Sequence, residues 1–168
     1  MILIIKMSLI QKKIIKIISI AFLIFLIDRF SKIYILNYVE KNEFIDLYIT
    51  SFLNIVLVWN TGIGFGLLPL ESNFYYNIIT LIIILINLII LVLIFKSKNL
   101  DFYFYLMIMG GSLGNLYDRI YFSAVPDYID FHIGEFHWFV FNVADIFISI
   151  GIFCLIFVEL ILNKKKDE

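Results

Sequence analysis

Two aspartates in the second half of the sequence, Asp127 and Asp145, are the best candidates for catalysis. Both lie beside strongly apolar segments, and neither has a lysine or arginine next to it in the sequence. Two carboxyl groups that meet in a low-dielectric environment do not both ionise readily, so they share a proton and can activate a water molecule. The residue types therefore predict general acid and base chemistry, although spacing alone leaves a structural role open for both.

A second group of charged residues has a partner close by in the sequence. Asp28 and Lys32 are four residues apart and share one face of a helix. Asp118 is followed directly by Arg119. We expect these four residues to form ion pairs that hold helices together rather than to do chemistry. Two asparagines are additional polar candidates: Asn115 lies three residues before Asp118, and Asn142 lies three residues before Asp145.

Three further patterns are weaker indications of a site. The segment GGSLG at 110–114 matches G-x-S-x-G, but no strand precedes it, so close helix packing explains its glycines better than a serine nucleophile does. His132 and His137 are five residues apart, which fits no zinc motif, and we expect them to anchor an outer segment at the membrane interface. The glycine-rich segment 60–66 either offers backbone donors to an extended ligand or forms a turn.

The composition predicts a membrane protein. The 168 residues are 62% hydrophobic, and their mean hydropathy is +1.01. The 13 Lys and Arg against 14 Asp and Glu give a net charge of -1, which excludes a basic surface for nucleic acid, and the high hydropathy excludes a disordered chain. At about 20 residues per spanning helix, the chain has room for roughly four or five spans and little else. We therefore expect a single polytopic membrane domain over residues 1–168.

Four apolar segments predict four membrane-spanning helices, at about 14–36, 74–95, 102–121 and 139–162. Lysines flank these segments unevenly, and nine of the 13 cationic residues lie on one side of the predicted bundle. The positive-inside rule places that side, with both termini, in the cytoplasm. The connections 37–73 and 122–138 then lie outside. The predicted fold is a mainly α four-helix membrane bundle.

The two outer connections predict different structures. The β-rich segment from Leu53 to Trp59 predicts a strand in a small sheet at the membrane surface. The second connection, which contains VPDYIDFHIGEFHWFVF, is aromatic and amphipathic, and we expect an outer loop or helix at the level of the lipid headgroups.

The predicted depth of the polar residues bears on the class of function. The candidate residues of three spans reach one level near the outer surface, close to Asp127, whereas the inner halves of the spans are nearly unbroken Ile, Leu and Phe. A proton or ion transporter also uses charged residues inside the membrane, but its pathway needs polar groups across the whole bilayer. A non-catalytic scaffold does not explain the convergence of these groups. The distribution therefore favours an enzyme whose site lies at the outer surface.

Four blocks of the sequence resemble the motifs of the lipoprotein signal peptidase family, the signal peptidase II family of aspartic membrane proteases. The blocks are DRFSK at Asp28–Lys32, NTGIGFGLL at Asn60–Leu68, GGSLGNLYDR at Gly110–Arg119 with VPDYIDF at Val125–Phe131, and FNVAD at Phe141–Asp145. The resemblance covers nearly the whole chain and implies that Asp127 and Asp145 are the catalytic pair. The residues that it implies to line or brace the pocket are Asp28, Lys32, Asn60, Gly62, Asn115, Asp118, Arg119 and Asn142. Pro126 departs from the pattern, since a valine is usual there.

The resemblance also implies a substrate and a location. The family removes the signal peptide from diacylglyceryl-modified prolipoproteins, cutting on the amino side of the lipidated cysteine at the outer face of the bacterial cytoplasmic (inner) membrane. It needs no metal and no cofactor, and it is sensitive to globomycin. We expect the chain to work as a monomer in contact with membrane lipid and prolipoprotein substrates, without a nucleic-acid partner.

Overall fold

The computed structural model describes residues 2–62 and 73–163. Its helices are α1 (Ile2–Asn42), α2 (Asn73–Lys96), α3 (Asn99–Phe122) and α4 (Val143–Phe157), which continues as a π-helical segment at Val158–Asn163. Its strands are β1 (Asp46–Thr50), β2 (Leu53–Asn60), β3 (Val125–Ile133) and β4 (Phe136–Phe141). All adjacent strands are antiparallel, and their order in the sheet is β1-β2-β3-β4. The predicted strand at Leu53–Trp59 is confirmed as part of β2.

The helices agree with the four apolar segments in position but differ in extent. Helix α1 has 41 residues, more than the predicted 14–36, because neither proline nor glycine interrupts the sequence on either side of the apolar segment. It ends where Glu43 adopts the left-handed conformation with a φ of 70°. Helices α2 and α3, of 24 residues each, match their predicted segments within a few residues. The predicted start of the fourth segment at 139 is wrong, since α4 begins only at Val143.

The connection 122–138 does not form the amphipathic outer loop or helix that the sequence suggested. It forms β3 and the first part of β4, joined by a turn at Gly134, where φ is 59°. Strand β3 pairs with β2, so that Asp127 lies opposite Val58. The alternation of apolar and polar residues did not reveal this pairing because the partner strand lies more than 60 residues earlier in the chain.

Two helices are long and apolar enough to cross a membrane, Phe74–Lys96 and Val143–Leu160. Only 17% of each apolar window is buried inside the protein, and large apolar side chains cover their outer faces. Exposed apolar surface of this extent is typical of contact with lipid or a partner. The structure therefore shows a mostly helical protein with a small antiparallel sheet, and the count of four spans stays a prediction.

The chain directions separate two ends of the helix bundle. Helices α1 and α3 lead into strands, and α4 begins directly after β4; we call this end the sheet end. At the opposite end, Lys13 Nζ donates hydrogen bonds to the backbone oxygens of Phe95 and Ser97, at 2.8 and 3.1 Å. We call it the lysine end, because Lys12, Lys13 and Lys16 of α1 and Lys98 of the turn between α2 and α3 line one cavity there.

Glycine allows α3 to pack closely against α4. A methyl group added at Gly111 would lie 2.5 Å from the Ala144 backbone oxygen, so this position requires glycine. Ser112, the next residue, accepts a hydrogen bond of 2.7 Å from Asn87 Nδ2 on α2. The helix-packing interpretation of the G-x-S-x-G pattern is thus confirmed, since its residues hold α3 against its neighbours.

Candidate active site

Asp127 is buried on strand β3, where two amide side chains bind its carboxylate. Asn60 Nδ2, at the end of β2, donates to Oδ2 at 2.9 Å. Asn142 Nδ2, between β4 and α4, donates to Oδ1 at 2.6 Å. The residue is only 2% exposed. Neutral donors thus satisfy both oxygens of a carboxylate that is removed from water.

Asp145 lies in the first turn of α4, in a capping box with Asn142. The backbone N–H of Asn142 donates to Asp145 Oδ2 at 3.0 Å, and the backbone N–H of Asp145 donates to Asn142 Oδ1 at 3.1 Å. These reciprocal bonds satisfy backbone donors that a helix start leaves free. The other carboxylate oxygen, Oδ1, accepts from Asn115 Nδ2 on α3 at 2.8 Å. The helix start and α3 together fix the orientation of this carboxylate.

Asn142 brings the two aspartates together. Its side-chain amide binds Asp127 and its backbone N–H binds Asp145, and the residue itself is fully buried. Burial, and secondarily the negative charge of Asp145, raise the pKa of Asp127 from the ordinary 3.8 to about 7. The hydrogen bonds from the two amides lower this pKa but do not cancel the increase. At neutral pH, Asp127 therefore holds a proton in a substantial fraction of molecules.

Each of the two aspartates also borders an open cavity. The cavity beside Asp127 has a volume of about 210 Å³, and strands β2 and β4 contribute most of its lining, including Asn60 and His137. The cavity beside Asp145 has a volume of about 250 Å³ and follows α4 past Ile146 and Ser149. The pair is thus buried without being closed to a ligand.

A second group of buried charges lies next to the pair and links α1 to α3. Lys32 Nζ donates to Asp28 Oδ2 at 2.9 Å and to Asp118 Oδ2 at 2.7 Å. All three side chains are fully buried. Arg29 Nη1 pairs with Asp118 Oδ1, and its guanidinium lies over the Tyr117 ring, 5.0 Å from the centroid. We call Asp28, Arg29, Lys32 and Asp118 the ionic brace.

The ionic brace contacts the elements that carry the aspartate pair. Asp28 Oδ1 accepts a hydrogen bond from the backbone N–H of Ala144 at 3.0 Å, next to Asp145 in the first turn of α4. Asn115 Oδ1 accepts from Lys32 at 2.8 Å, while its Nδ2 binds Asp145. One asparagine therefore bridges the two groups and fixes their relative position.

Arg119 does not pair with Asp118, and the predicted ion pair between these neighbours is wrong. Adjacent residues of a helix point in different directions, so Asp118 faces α1 while Arg119 faces the end of β2. Arg119 Nη2 donates to the backbone oxygen of Gly62 at 2.5 Å, and its guanidinium lies 5.6 Å from the centroid of the Tyr76 ring. Its role in the structure is to hold the segment after β2.

The segment after β2 turns at Asn60. The backbone N–H of Gly62 donates to Asn60 Oδ1 at 2.9 Å, which closes a turn through the side chain. This part of the glycine-rich segment 60–66 therefore forms a turn, which was one of the two structures that the sequence predicted. Gly64 and Gly66 lie outside the described residues.

Sequence reasoning missed two contributors near the site. Arg29 belongs to the DRFSK block, and a third charge in an apolar segment was a signal that it needed a partner. Asp130 is 3% exposed on β3, and its Oδ2 lies 2.7 Å from His137 Nδ1. We expected His132 and His137 only to anchor an outer segment, since their spacing does not reveal a partner on the neighbouring strand.

The chain matches known proteins over most of its length. The family model of signal peptidase (SPase) II matches residues 20–161. A lipoprotein signal peptidase of Pelagibacter ubique (strain HTCC1062) is 52% identical over 145 residues, which cover 86% of this chain and 87% of that protein. A lipoprotein signal peptidase of Anaplasma marginale (strain Florida) is 36% identical over 158 residues, 92% of this chain and 89% of that protein.

Two solved structures share the fold, and both are described as bacterial membrane enzymes determined by the in meso method. One, at 2.3 Å resolution, has a TM-score of 0.68 and 29% sequence identity, and covers 91% of this chain and 92% of its own. The other, at 1.9 Å, has a TM-score of 0.67 and 27% identity, and covers 87% and 93%. From its match over most of its length, the chain belongs to the signal peptidase II family and is a peptidase.

Proposed function

We propose that the chain removes the signal peptide from diacylglyceryl-modified prolipoproteins and that Asp127 and Asp145 are its catalytic pair. The observation that carries this proposal is the position of Asn142, which binds both buried carboxylates. Among the described residues, no lysine or arginine forms an ion pair with either of them. Two carboxyl groups in this situation hold one proton between them, which is the state that aspartic catalysis needs.

The chemistry follows from the shared proton. The ionised carboxyl takes a proton from a water molecule, whose oxygen attacks the carbonyl carbon of the scissile peptide. The protonated carboxyl donates a hydrogen bond to the carbonyl oxygen, and it stabilises the tetrahedral intermediate as the negative charge develops. The carbon–nitrogen bond then breaks, and the proton taken from water goes to the leaving nitrogen. Asn60, Asn115 and Asn142 hold the carboxylates in place during these steps.

The proposed topology has four spans, with both termini in the cytoplasm and the sheet end at the outer face of the bacterial inner membrane. The lysine contacts at the opposite end support this orientation through the positive-inside rule. A diacylglyceryl group anchors the substrate in the outer leaflet, so the bond on the amino side of the lipidated cysteine lies at the depth of the sheet end. Substrate and membrane lipid are the expected partners of a monomeric enzyme.

The test is cleavage of a diacylated prolipoprotein by the purified chain in mixed micelles. Asp127→Asn and Asp145→Asn each remove one proton-transferring group, and we expect each to lower kcat by about 10²- to 10⁴-fold. Asp46→Asn, which changes an exposed aspartate on β1 of the same sheet, is the matched control and should keep wild-type activity. The unmodified prolipoprotein should be cleaved poorly, and globomycin should inhibit the reaction. Wild-type rates from Asp127→Asn or Asp145→Asn would show that the catalytic pair is misassigned.

A further inference from the structure

A buried aspartate that the proposed chemistry does not use lies on the same strand as Asp127. Asp130 is 3% exposed, and its Oδ2 lies 2.7 Å from Nδ1 of His137 on β4. A carboxylate only accepts hydrogen bonds, so Nδ1 of the histidine carries the hydrogen in this contact. In the neutral ring, the other nitrogen, Nε2, then has a lone pair and accepts a hydrogen bond.

His137 lines the same cavity as Asp127. The cavity of about 210 Å³ is bordered by both residues, by Asn60, and by the exposed ring of Trp138. The side chain of His137 is 56% exposed, whereas its partner carboxylate is almost completely buried. The ring of His137 therefore borders the space beside Asp127, while its Nδ1 is held by a buried carboxylate.

The neighbouring histidine has a different environment. His132 pairs with His137 across β3 and β4, and their ring centroids are 5.1 Å apart. Its Nδ1 lies 3.3 Å from the backbone oxygen of Gly134, and it is not among the residues that line the cavity. It is thus a matched control for His137, with the same side chain on the adjacent strand.

We propose that Asp130 orients His137 so that Nε2 accepts a hydrogen bond from a backbone N–H of the substrate peptide bound beside Asp127. This inference rests on the proposed function, because it assigns a further contact in the same cleft. A peptide that enters the cleft loses water from its backbone groups, and each of them needs a partner there. His137 is then a substrate-binding residue, and Asp130 is a positioning residue that acts through it.

The experiment measures kcat and apparent KM on the diacylated prolipoprotein. Loss of one hydrogen bond made equally in the ground and transition states raises KM without lowering kcat. We expect His137→Ala to raise apparent KM about 5- to 10-fold and to change kcat by less than about twofold. Asp130→Ala, which removes the acceptor for Nδ1–H, should raise KM about as much, and the double variant should be no worse than His137→Ala alone because Asp130 acts through the ring.

Two amide substitutions separate substrate contact from a structural role. His137→Asn places an amide near the position of Nδ1, so it keeps a partner for Asp130 but has no group at Nε2; its KM should match that of His137→Ala. His137→Gln places an amide near the position of Nε2 and should recover most of the wild-type KM. The opposite order, with Asn restoring activity and Gln not, would establish a structural role and overturn the inference.

The controls distinguish this inference from the proposed function. His132→Gln should leave KM and kcat unchanged, and the melting temperature of each variant verifies its fold. If Asp127→Asn loses activity while His137→Ala keeps the wild-type KM, the catalytic assignment stands, and the proposed hydrogen bond between His137 and the substrate is wrong. If Asp127→Asn is fully active, the proposed function itself fails.

Discussion

The ionic brace and the aspartate pair are neighbouring groups of buried carboxylates that differ in what surrounds them. In the brace, two carboxylates meet two cations, and Lys32 alone binds both of them. In the pair, asparagine amides and backbone N–H groups bind the carboxylates, and Asp127 is contacted by Asn60 and Asn142. Both groups are almost completely removed from water. The difference lies in charge compensation rather than in burial.

This difference supports the proposal that the pair, and not the brace, transfers protons in catalysis. In the brace, buried cations compensate the negative charge of the carboxylates, and loss of one partner would leave the other buried and unpaired. A carboxylate bound only by neutral amides beside a second carboxylate takes up a proton readily, as the raised pKa of Asp127 indicates. Asp118 thus belongs to the ionic brace. Asn115, from the same sequence block, connects the brace to the aspartate pair, because it binds both Lys32 and Asp145.

Removal of the cation shared by the brace should have the largest effect on stability. Lys32→Met leaves Asp28 and Asp118 without their common partner, and we expect the free energy of unfolding to fall by about 3–5 kcal/mol. Chemical denaturation in mixed micelles measures this loss. Lys16→Met, at an exposed lysine of the same helix, is the control and should stay within about 0.5 kcal/mol of wild type. If Lys32→Met is as stable as wild type, the brace does not depend on ion pairing.

The contribution of the aspartate pair to stability should instead depend on pH. Asp127 has a pKa of about 7 in the folded protein, against 3.8 as the ordinary value, so the native state keeps a proton that the unfolded chain has lost between these values. The contribution of this group to stability is therefore largest at low pH, falls as the pH rises from about 4 to 7, and is constant above. Asp127→Asn has no such titration, so it should gain stability relative to wild type across this range, by up to about 4 kcal/mol.

Melting temperatures of wild type and Asp127→Asn between pH 4 and 8 provide the measurement. The constant cost of replacing a carboxylate by an amide shifts the whole curve and does not affect its slope. Asp46→Asn provides the background for an exposed aspartate of the same sheet. A difference between wild type and Asp127→Asn that does not change with pH would mean that the pKa of Asp127 is not raised in the folded protein.

The sequence revealed the elements that are defined by local patterns. The apolar segments located the helices, and the β-rich segment 53–59 located β2. Asp127 and Asp145 were selected because neither has a cation nearby in the sequence, and the structure does place them on a common asparagine. Each of these predictions depended on residues that are close together in the chain, or on the absence of a cation close by in the chain.

Contacts between distant segments were not predictable in the same way. The pairing of β3 with β2 joins segments about 70 residues apart, and the amphipathic pattern of 122–138 fits a strand, a loop or a surface helix equally well. Asp118 has Arg119 beside it, yet it pairs with Arg29 and Lys32 on another helix. Helix geometry excludes the pairing of Asp118 with Arg119. Its pairing with Arg29 and Lys32 depends on how α1 packs against α3.

A smaller change should test how closely the brace is packed. A methyl group at Gly114 would lie 2.5 Å from Asp28 Oδ2, so this oxygen, which binds Lys32, has to shift to make room. We expect Gly114→Ala to lower the free energy of unfolding by about 1–3 kcal/mol, measured by chemical denaturation. Ile120→Ala, at an exposed position of the same helix, is the control for substitutions on α3. A stable Gly114→Ala would show that Asp28 adjusts freely and that its geometry is not fixed by α3.

The smallest effect is expected at the hydrogen bond between the sheet and α1. Tyr128, next to Asp127 on β3, donates its hydroxyl to Ser31 Oγ at 2.6 Å, and Ser31 donates in turn to the Asp28 backbone oxygen at 2.7 Å. Burial raises the pKa of Tyr128 to about 12, so its hydroxyl stays protonated and remains a donor at every pH of interest. Tyr128→Phe should cost about 1 kcal/mol of stability.

A double-mutant cycle isolates this bond. If Tyr128→Phe and Ser31→Ala act through the same contact, the double variant should lose less stability than the two single variants together, with a coupling of about 0.5–1 kcal/mol. Cleavage activity should change by less than about twofold, because this bond joins the sheet to α1 and involves neither Asp127 nor Asp145. A large loss of activity with little loss of stability would mean that the position of Asp127 depends on its link to α1 and the brace. The ionic brace and the aspartate pair would then act as one unit.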